Sequence, residues 1–229
     1  MKFPALLIIF VAAANALAAD IDTIGGTLLH QMDPTLQGAG IPVAQPEAPN
    51  GIAGAFEVNP SAVGQPTNLF TWISSGGTTN SYPNSLGTES THADAVAANF
   101  YGLPAGVAQQ VSHVDNYDAD YFYNNYIANG LPISARVVNQ SFIFNATGGG
   151  HLPTNQEQTI ESDYDDYAVQ YGVLFISGIG NGGGVYPAGT SYNGIGVGVY
   201  PGSSSYGPTT DGRSKPDLVS PGGGLTGWW

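Results

Sequence analysis

The sequence contains no cysteine and very little positive charge. Only 4 of the 229 residues are Lys or Arg, against 17 Asp and Glu, and charged residues of both signs make up 9%. The absence of cysteine excludes disulfides, thiolate zinc sites and a cysteine nucleophile. A net charge of −13 would repel phosphate backbones and anionic lipid, so nucleic-acid binding and membrane-surface binding are not expected.

The longest apolar run stands at the amino terminus. Lys2 is followed by an apolar stretch from Ala5 to Ala14 and by the small-x-small pattern Ala16-Leu17-Ala18. This order is typical of a secretory signal peptide over residues 1–19, and the run is shorter than the about 20 apolar residues of a membrane-spanning helix. We therefore expect a secreted protein, extracellular or periplasmic, with no membrane attachment after signal cleavage.

The remaining chain is rich in turn formers, with 33 Gly and 16 Pro, and has enough apolar residues (42%) for a core. Residues 20–37 are predicted to be a weakly structured lead-in, and residues 49–88 a long irregular region. Apolar strands alternating with helices predict an α/β fold with a mainly parallel sheet flanked by helices. The predicted strands are 41–44, 111–114, 135–142, 173–177 and 195–200, and the predicted helices are 91–101, 118–128 and 154–171, the last with a Thr154–Glu157 capping box.

Four segments follow one another along the chain: THADAVAANFYG (91–102), ARVVNQSF (135–142), YGVLFISGIGNG (171–182) and SSSYGPTTDGRSKPDLVSPGG (203–223). This ordered series resembles the subtilisin-like serine proteases, the peptidase S8 family. The resemblance extends from about Gly38 to Gly224 and implies a three-layer subtilisin-like fold for residues 38–229. It also implies a serine endopeptidase that hydrolyses peptide bonds through an acyl-enzyme, with a polypeptide substrate.

The resemblance assigns candidate roles to individual residues. His92 matches the general base, which takes a proton from a serine hydroxyl and returns it to the leaving amine. Asn181 matches the donor that stabilises the oxyanion. Ser141 lies where the family's strand pairs with the substrate backbone, and Asp217 matches a recurrent position that we interpret as structural.

The acidic member of the triad departs from the family pattern. Glu47 follows the apolar run of residues 40–44, where the family has Asp. A glutamate can orient the imidazole of His92, although its extra methylene requires a shifted backbone or ring. The alternative is that Glu47 is only a loop carboxylate, in which case Glu57 is the nearest other candidate in the sequence. Asp94 and Ala95 also replace the family's Thr and His.

The nucleophile is the second departure. The family's serine stands in G-T-S-x-A/S-x-P beyond the Lys-Pro-Asp run, and the printed sequence has no serine after Ser220. Ser220 occupies a position where the family usually has Ala, so it is not expected to substitute. The sequence therefore predicts no nucleophile in this chain, an incomplete peptidase domain whose carboxyl-terminal part is missing, and no activity in the chain itself.

The sequence leaves room for two other functions and for calcium as a cofactor. A non-catalytic exported relic or binding protein with the same fold is the main alternative, while a sedolisin-like relative is disfavoured because its Glu replaces the histidine, which is present here. No cofactor or metal is expected. Many family members use calcium, but the acidic clusters at 115–120 and 163–166 lack the spacing of a dedicated calcium loop. The sequence does not indicate an oligomeric state.

Overall fold

The computed structural model describes residues 21–49 and 51–222, so the predicted signal peptide lies outside the described residues. Within them, no helix is both long enough and apolar enough to span a membrane. The strands are β1 (Pro42–Glu47), β2 (Ala55–Glu57), β3 (Phe70–Ser74), β4 (Gly77–Thr79), β5 (Thr88–Glu89), β6 (His113–Asp118), β7 (Val137–Gln140), β8 (Leu174–Gly178), β9 (Ile195–Tyr200) and β10 (Leu218–Pro221). The α-helices are α1 (Gly26–Met32), α2 (Thr91–Phe100), α3 (Ala119–Phe122) and α4 (Thr154–Tyr171); a 3₁₀ turn spans Thr67–Leu69, and α3 continues as a π-helical turn over Tyr123–Ile127.

Eight of the strands form one sheet in the order β10-β9-β8-β7-β1-β6-β3-β4. Every neighbouring pair runs parallel except β3 and β4, which are antiparallel. Val43 of β1 pairs with Val114 of β6 on one side and with Val137 of β7 on the other. Later strands of the chain are therefore added on both sides of β1, so the strand order reverses there. Crevices that bind ligands open at such switch points of a parallel sheet. The α/β prediction is confirmed.

The sheet is covered on both faces because successive residues of a strand point to opposite sides. In β1, Val43 belongs to one core and Ala44 to the other; in β3, Trp72 and Ile73 divide in the same way. The core on the α2 side is made of Val43, Phe56, Val58, Val63, Phe70, Trp72, Ala93, Ala97, Tyr101, Val111 and Val114. The core on the α4 side includes Ala44, Ile73, Tyr117, Phe122, Val138, Ile160, Tyr164, Tyr167 and Phe175.

The prediction of an irregular region over residues 49–88 is wrong. This segment contains β2, β3, β4 and the first residue of β5, and β3 is an interior strand of the main sheet. Each strand is short and bounded by Gly, Pro, Ser or Thr, so the alternation that identifies strands is too brief to detect. The lead-in prediction is also wrong over Gly26–Met32, which form α1.

The predicted strand 111–114 differs from β6, His113–Asp118, because the second half of β6 is polar. Asn116 is fully buried, yet its amide donates to the carbonyls of Gln45 and Phe56, and its oxygen accepts from the N–H of Val58. Buried polar groups are accommodated when they are fully hydrogen-bonded. A search for apolar runs therefore ends the strand at Val114, four residues too early.

Helix α4 has the predicted bounds and ends where Gly172 adopts φ 63°. Its predicted capping box is wrong, because the helix begins after Pro153 without a side-chain cap. Glu157 instead accepts a hydrogen bond from Nδ1 of His151 at 2.8 Å. A carboxylate in the first turn of the helix thus binds a loop residue rather than the helix terminus.

We predict that Trp72→Ala lowers the free energy of unfolding by about 3–5 kcal/mol, because it leaves a cavity in the core on the α2 side. Trp72 is fully buried between Phe70 and Tyr82, with ring centroids at 5.5 and 5.3 Å. Its indole also donates to the carbonyl of Val58 at 3.2 Å. The measurement is chemical denaturation followed by circular dichroism.

The matched control is Tyr206→Ala, since Tyr206 is 75% exposed. This substitution should change the free energy of unfolding by no more than about 0.5 kcal/mol. Equal effects of the two substitutions would contradict the placement of β3 inside the sheet.

Candidate active site

The carboxyl ends of the central parallel strands open into a groove of about 600 Å³. Ala48 follows β1, Ser141 follows β7 and Gly178 ends β8; all three line the groove together with His92 and Asn181. Parallel strands bring their carboxyl ends to one edge of the sheet, which explains why residues so distant in sequence meet here. The candidate residues His92, Ser141 and Asn181 therefore lie in one crevice.

Glu47 and His92 are hydrogen-bonded at the edge of this groove. Oε2 of Glu47 is 2.8 Å from Nδ1 of His92, and Glu47 is fully buried while the His92 side chain is 16% exposed. His92 is the second residue of α2, whose first turn is fixed by Ser90, with Oγ accepting from the N–H of Ala93 at 3.2 Å. The last residue of β1 thus meets the first turn of α2.

This contact sets the protonation of His92. The hydrogen bond that His92 donates to Glu47 raises the pKa of His92 above its ordinary value, and burial opposes the rise. An ionised carboxylate only accepts hydrogen bonds, so Nδ1 carries the proton when His92 is neutral and Nε2 is left unprotonated. That tautomer is the one a general base needs, since its free nitrogen can take a proton.

Asn181 lies on a glycine turn that follows β8. Gly180 has φ 113°, and a Cβ there would stand 2.6 Å from Oγ of Ser205, so the turn requires glycine. Ser205 is buried and holds both sides of the turn: its N–H donates to the carbonyl of Gly180 at 3.0 Å, and its Oγ donates to the carbonyl of Gly182 at 2.9 Å. Asn181 itself is exposed to the groove.

The other sequence candidates have distinct places. Asp217 accepts from the N–H of Gly196 at 2.7 Å and from Nζ of Lys215 at 2.5 Å, which is a structural role between β9 and β10. Glu57 is buried in β2, whereas Nδ1 of His92 is bound to Glu47. Ser220 lies on β10 and also lines the groove.

Sequence reasoning missed the hydrogen-bonding partners behind these side chains. Oε1 of Glu47 accepts from the amide of Gln45 at 2.8 Å, and Ser205 fixes the turn of Asn181. The two-residue period of a strand could have revealed Gln45, because it shares a face of β1 with Glu47. Ser205 lies in the segment 203–223 that carries the family resemblance, but that segment does not reveal its contacts, which join residues more than 20 positions apart.

Among residues 21–49 and 51–222, no group of three or more His, Asp or Glu side chains is placed to hold a metal ion. Two carboxylates of the acidic cluster on α4 have other partners. Asp163 accepts from the hydroxyl of Tyr123 at 2.8 Å, and Asp165 accepts from the backbone N–H groups of Tyr192 and Asn193. These contacts anchor α4 to neighbouring segments.

Asp94, which departs from the family pattern, lies beside His92 in the first turn of α2. Burial raises the pKa of Asp94 to about 7, although its Oδ1 accepts from the N–H of Asn59 at 2.7 Å. A carboxyl group with a raised pKa stabilises the fold at acidic pH and loses that contribution as pH rises. His92 has the same sign: its contribution is present below its unfolded pKa and is lost as pH rises through the folded value.

We therefore predict that the free energy of unfolding is lower at about pH 8 than at about pH 5.5, because Asp94 loses its bound proton in that interval and the raised pKa of His92 acts in the same direction. In Glu47→Gln, the pKa of His92 should fall below that of the parent, since burial then acts without the carboxylate. Chemical denaturation at both pH values and an NMR titration of the imidazole provide the measurements.

His151, which is bound to Glu157 rather than to Glu47, is the internal control. The chemical shifts of its ring should be the same in the parent and in Glu47→Gln. An unchanged pKa of His92 in that variant would show that the two side chains do not interact in solution.

No family model and no curated protein matches this sequence. Solved structures do resemble it. The protease domain of PatA is 19% identical over 82% of this chain and 69% of its own, with a TM-score of 0.51. The psychrophilic subtilisin-like protease Apa1 from Pseudoalteromonas sp. AS-11 is 16% identical over 86% of this chain and 45% of its own, also at 0.51.

The epidermin leader peptide processing serine protease EpiP from Staphylococcus aureus has a TM-score of 0.58, with 14% identity over 94% of this chain and 60% of its own. The chain spans between 45% and 69% of the length of the structures it matches. The chain has a subtilisin-like fold.

Proposed function

We propose that this chain carries the acid–base and oxyanion groups of an exported subtilisin-like serine endopeptidase. The observation that carries the proposal is the hydrogen bond between Glu47 and His92 at the edge of a groove that also contains Asn181. A buried carboxylate that binds the imidazole, with an amide donor in the same crevice, is the arrangement that acyl transfer requires. Export is proposed from the signal-like pattern of residues 1–19.

In the proposed reaction, a serine hydroxyl attacks the scissile carbonyl carbon while Nε2 of His92 takes the hydroxyl proton. Glu47 stabilises the imidazolium that forms, and the Asn181 amide donates a hydrogen bond to the developing oxyanion. His92 then gives its proton to the leaving amine as the peptide bond breaks. Water repeats these steps on the acyl-enzyme and releases the second product.

The groove suits a neutral stretch of polypeptide. Of the described residues that line it, only His92 has a side chain that titrates near neutral pH. The remaining lining is formed by small, amide or apolar side chains and by the backbone that follows β7 and β8. An extended peptide could pair with such strand ends, which is the place proposed for Ser141.

None of the 229 residues matches the serine nucleophile of the family pattern. The proposed reaction needs the serine of a G-T-S-x-A/S-x-P segment. Reading the DNA after codon 229 in all frames is the direct test, and finding such a segment would support the protease.

The departures from the family pattern at Glu47, Asp94 and Ala95 favour a second function, a non-catalytic binding protein with the same fold. A binding protein would retain the groove and hold an extended peptide without cleaving it. Calorimetric titration with an uncharged peptide, followed by mass spectrometry of that peptide, separates the two functions only in a chain that carries the serine segment. Binding without cleavage in that longer chain would favour the binding protein.

The 229-residue chain itself should hydrolyse no peptide and should not be labelled by a fluorophosphonate probe, because no serine occupies the nucleophile position. The measurement is intact-protein mass spectrometry after incubation with the probe. A heat-unfolded sample gives the background, since specific labelling requires the folded site.

Ser220→Ala is the matched variant, since Ser220 also lines the groove. Stoichiometric, heat-sensitive labelling of the parent that disappears in Ser220→Ala would make Ser220 the nucleophile. Such a result would overturn the interpretation of Ser220 as a strand residue.

In a version that carries the serine segment, Glu47→Gln should lower kcat by about 10⁴, the cost of the equivalent acid-to-amide change in a serine protease. Glu47→Asp should cost less, because the charge is kept and only the reach is shortened. Asn181→Ala should lower kcat by about 10²–10³, the effect known for one oxyanion donor in subtilisin itself. Steady-state kinetics on one peptide provide all four values.

Tyr206→Ala serves as the control, because this exposed residue lies outside the groove lining. If Glu47→Gln retained kcat/KM within a fewfold of the parent, Glu47 would have no part in the mechanism.

A further inference from the structure

Gln45 lies directly behind the carboxylate of Glu47. It stands two residues earlier on β1, so both side chains project from the same face of the strand. Gln45 is fully buried, as is Glu47. An amide in such a position must have its donors and its acceptor satisfied within the protein.

The hydrogen bonds determine which way the Gln45 amide points. Its Nε2 donates to Oε1 of Glu47 at 2.8 Å and to the carbonyl of Ala93 at 2.9 Å, and both of these oxygens can only accept. Its Oε1 accepts from the hydroxyl of Tyr101 at 2.6 Å. Turning the amide over would place oxygen against two acceptors, so only the observed orientation is possible.

Tyr101 completes the arrangement from the other end of α2. It is the residue that follows the helix, and it is fully buried. Burial and the charges of Glu47 and Asp94 raise the pKa of Tyr101 well above its ordinary value, so its hydroxyl remains a donor. Gln45 is therefore held by the first turn of α2 through Ala93 and by the end of α2 through Tyr101.

We propose that Gln45 and Tyr101 are positioning residues that fix the Glu47 carboxylate and share its negative charge with His92. A glutamate has one more rotatable bond than an aspartate, so its carboxylate needs a second contact to hold one orientation. Oε2 is held by His92 and Oε1 by Gln45. This inference rests on the proposed function only where it treats Glu47 and His92 as the acid and the base of a catalytic site.

The charged and titratable groups around this network come from β1 and α2, with one contact from β5. Glu47 lies on β1, and His92, Asp94 and Tyr101 belong to α2 or its end. Asp94 also interacts with Glu89 of β5. Each of these groups already has another partner: Asp94 accepts from the N–H of Asn59, the Tyr101 hydroxyl donates to Gln45, and His92 binds the other oxygen of Glu47.

The experiment is an NMR titration of His92 in the 229-residue chain. Gln45→Met keeps the length of the side chain but removes the donor, so the ionised carboxylate is left with His92 as its main partner. The His92–Glu47 pair should then hold its proton more strongly, and the pKa of His92 should rise by about one unit or more. A merely structural role for Gln45 would lower stability without this shift.

Tyr101→Phe is the second variant, because it removes only a hydroxyl and should fold even if Gln45→Met does not. It should raise the pKa of His92 by a smaller amount, since the Gln45 amide remains but is no longer anchored. Tyr167→Phe is the matched control. The hydroxyl of Tyr167 donates to the carbonyl of Leu131 at 2.6 Å in the core on the α4 side, so its removal should leave the pKa of His92 unchanged.

An unchanged or lowered pKa of His92 in Gln45→Met overturns the proposal, and Tyr101→Phe decides in the same way if the first variant is unfolded. A shift in Tyr167→Phe as large as in Tyr101→Phe also overturns it. Because no catalysis is measured, the pKa shifts can appear as expected even if a serine-bearing chain proves inactive. That combination would reject the proposed function while leaving the positioning role intact.

Discussion

A buried negative charge constrains this site more than any other interaction. The Glu47 carboxylate is removed from water, and an unpaired carboxylate in that position would be strongly destabilising. His92 and Gln45 each satisfy one of its oxygens. Because those partners belong to α2 and β1, the requirement to pair one charge fixes the helix against the strand and sets the tautomer of His92.

The topology explains why this charge can face a groove. β1 lies between β6 and β7, where the chain direction across the sheet reverses, so the carboxyl end of β1 opens into a crevice. On the far side of that crevice, β8 ends in the glycine turn that carries Asn181. The separation of the acid–base pair from the oxyanion donor thus depends on the spacing of β1 and β8 and on the glycine turn that carries Asn181.

The sequence predicted the parts of the fold that depend on local patterns. Helix α4 was predicted because its apolar residues recur on one face, and β9 because it is a continuous run of Gly, Val and Ile. Strand β3 was missed because pairing with β6 defines it, and the polar half of β6 was missed because Asn116 is satisfied by distant carbonyls. In the site, motif order indicated His92, Ser141 and Asn181, whereas Gln45 and Ser205 act through contacts that no motif records.

The central claim is that Glu47 holds His92 as a base with Nε2 free. The most direct measurement is the ¹⁵N chemical shifts of the two ring nitrogens of His92 at a pH above its pKa. The account predicts a protonated Nδ1, hydrogen-bonded to Glu47, and an unprotonated Nε2. A proton on Nε2 in the neutral ring would contradict it, because that nitrogen could not then accept a proton from a serine.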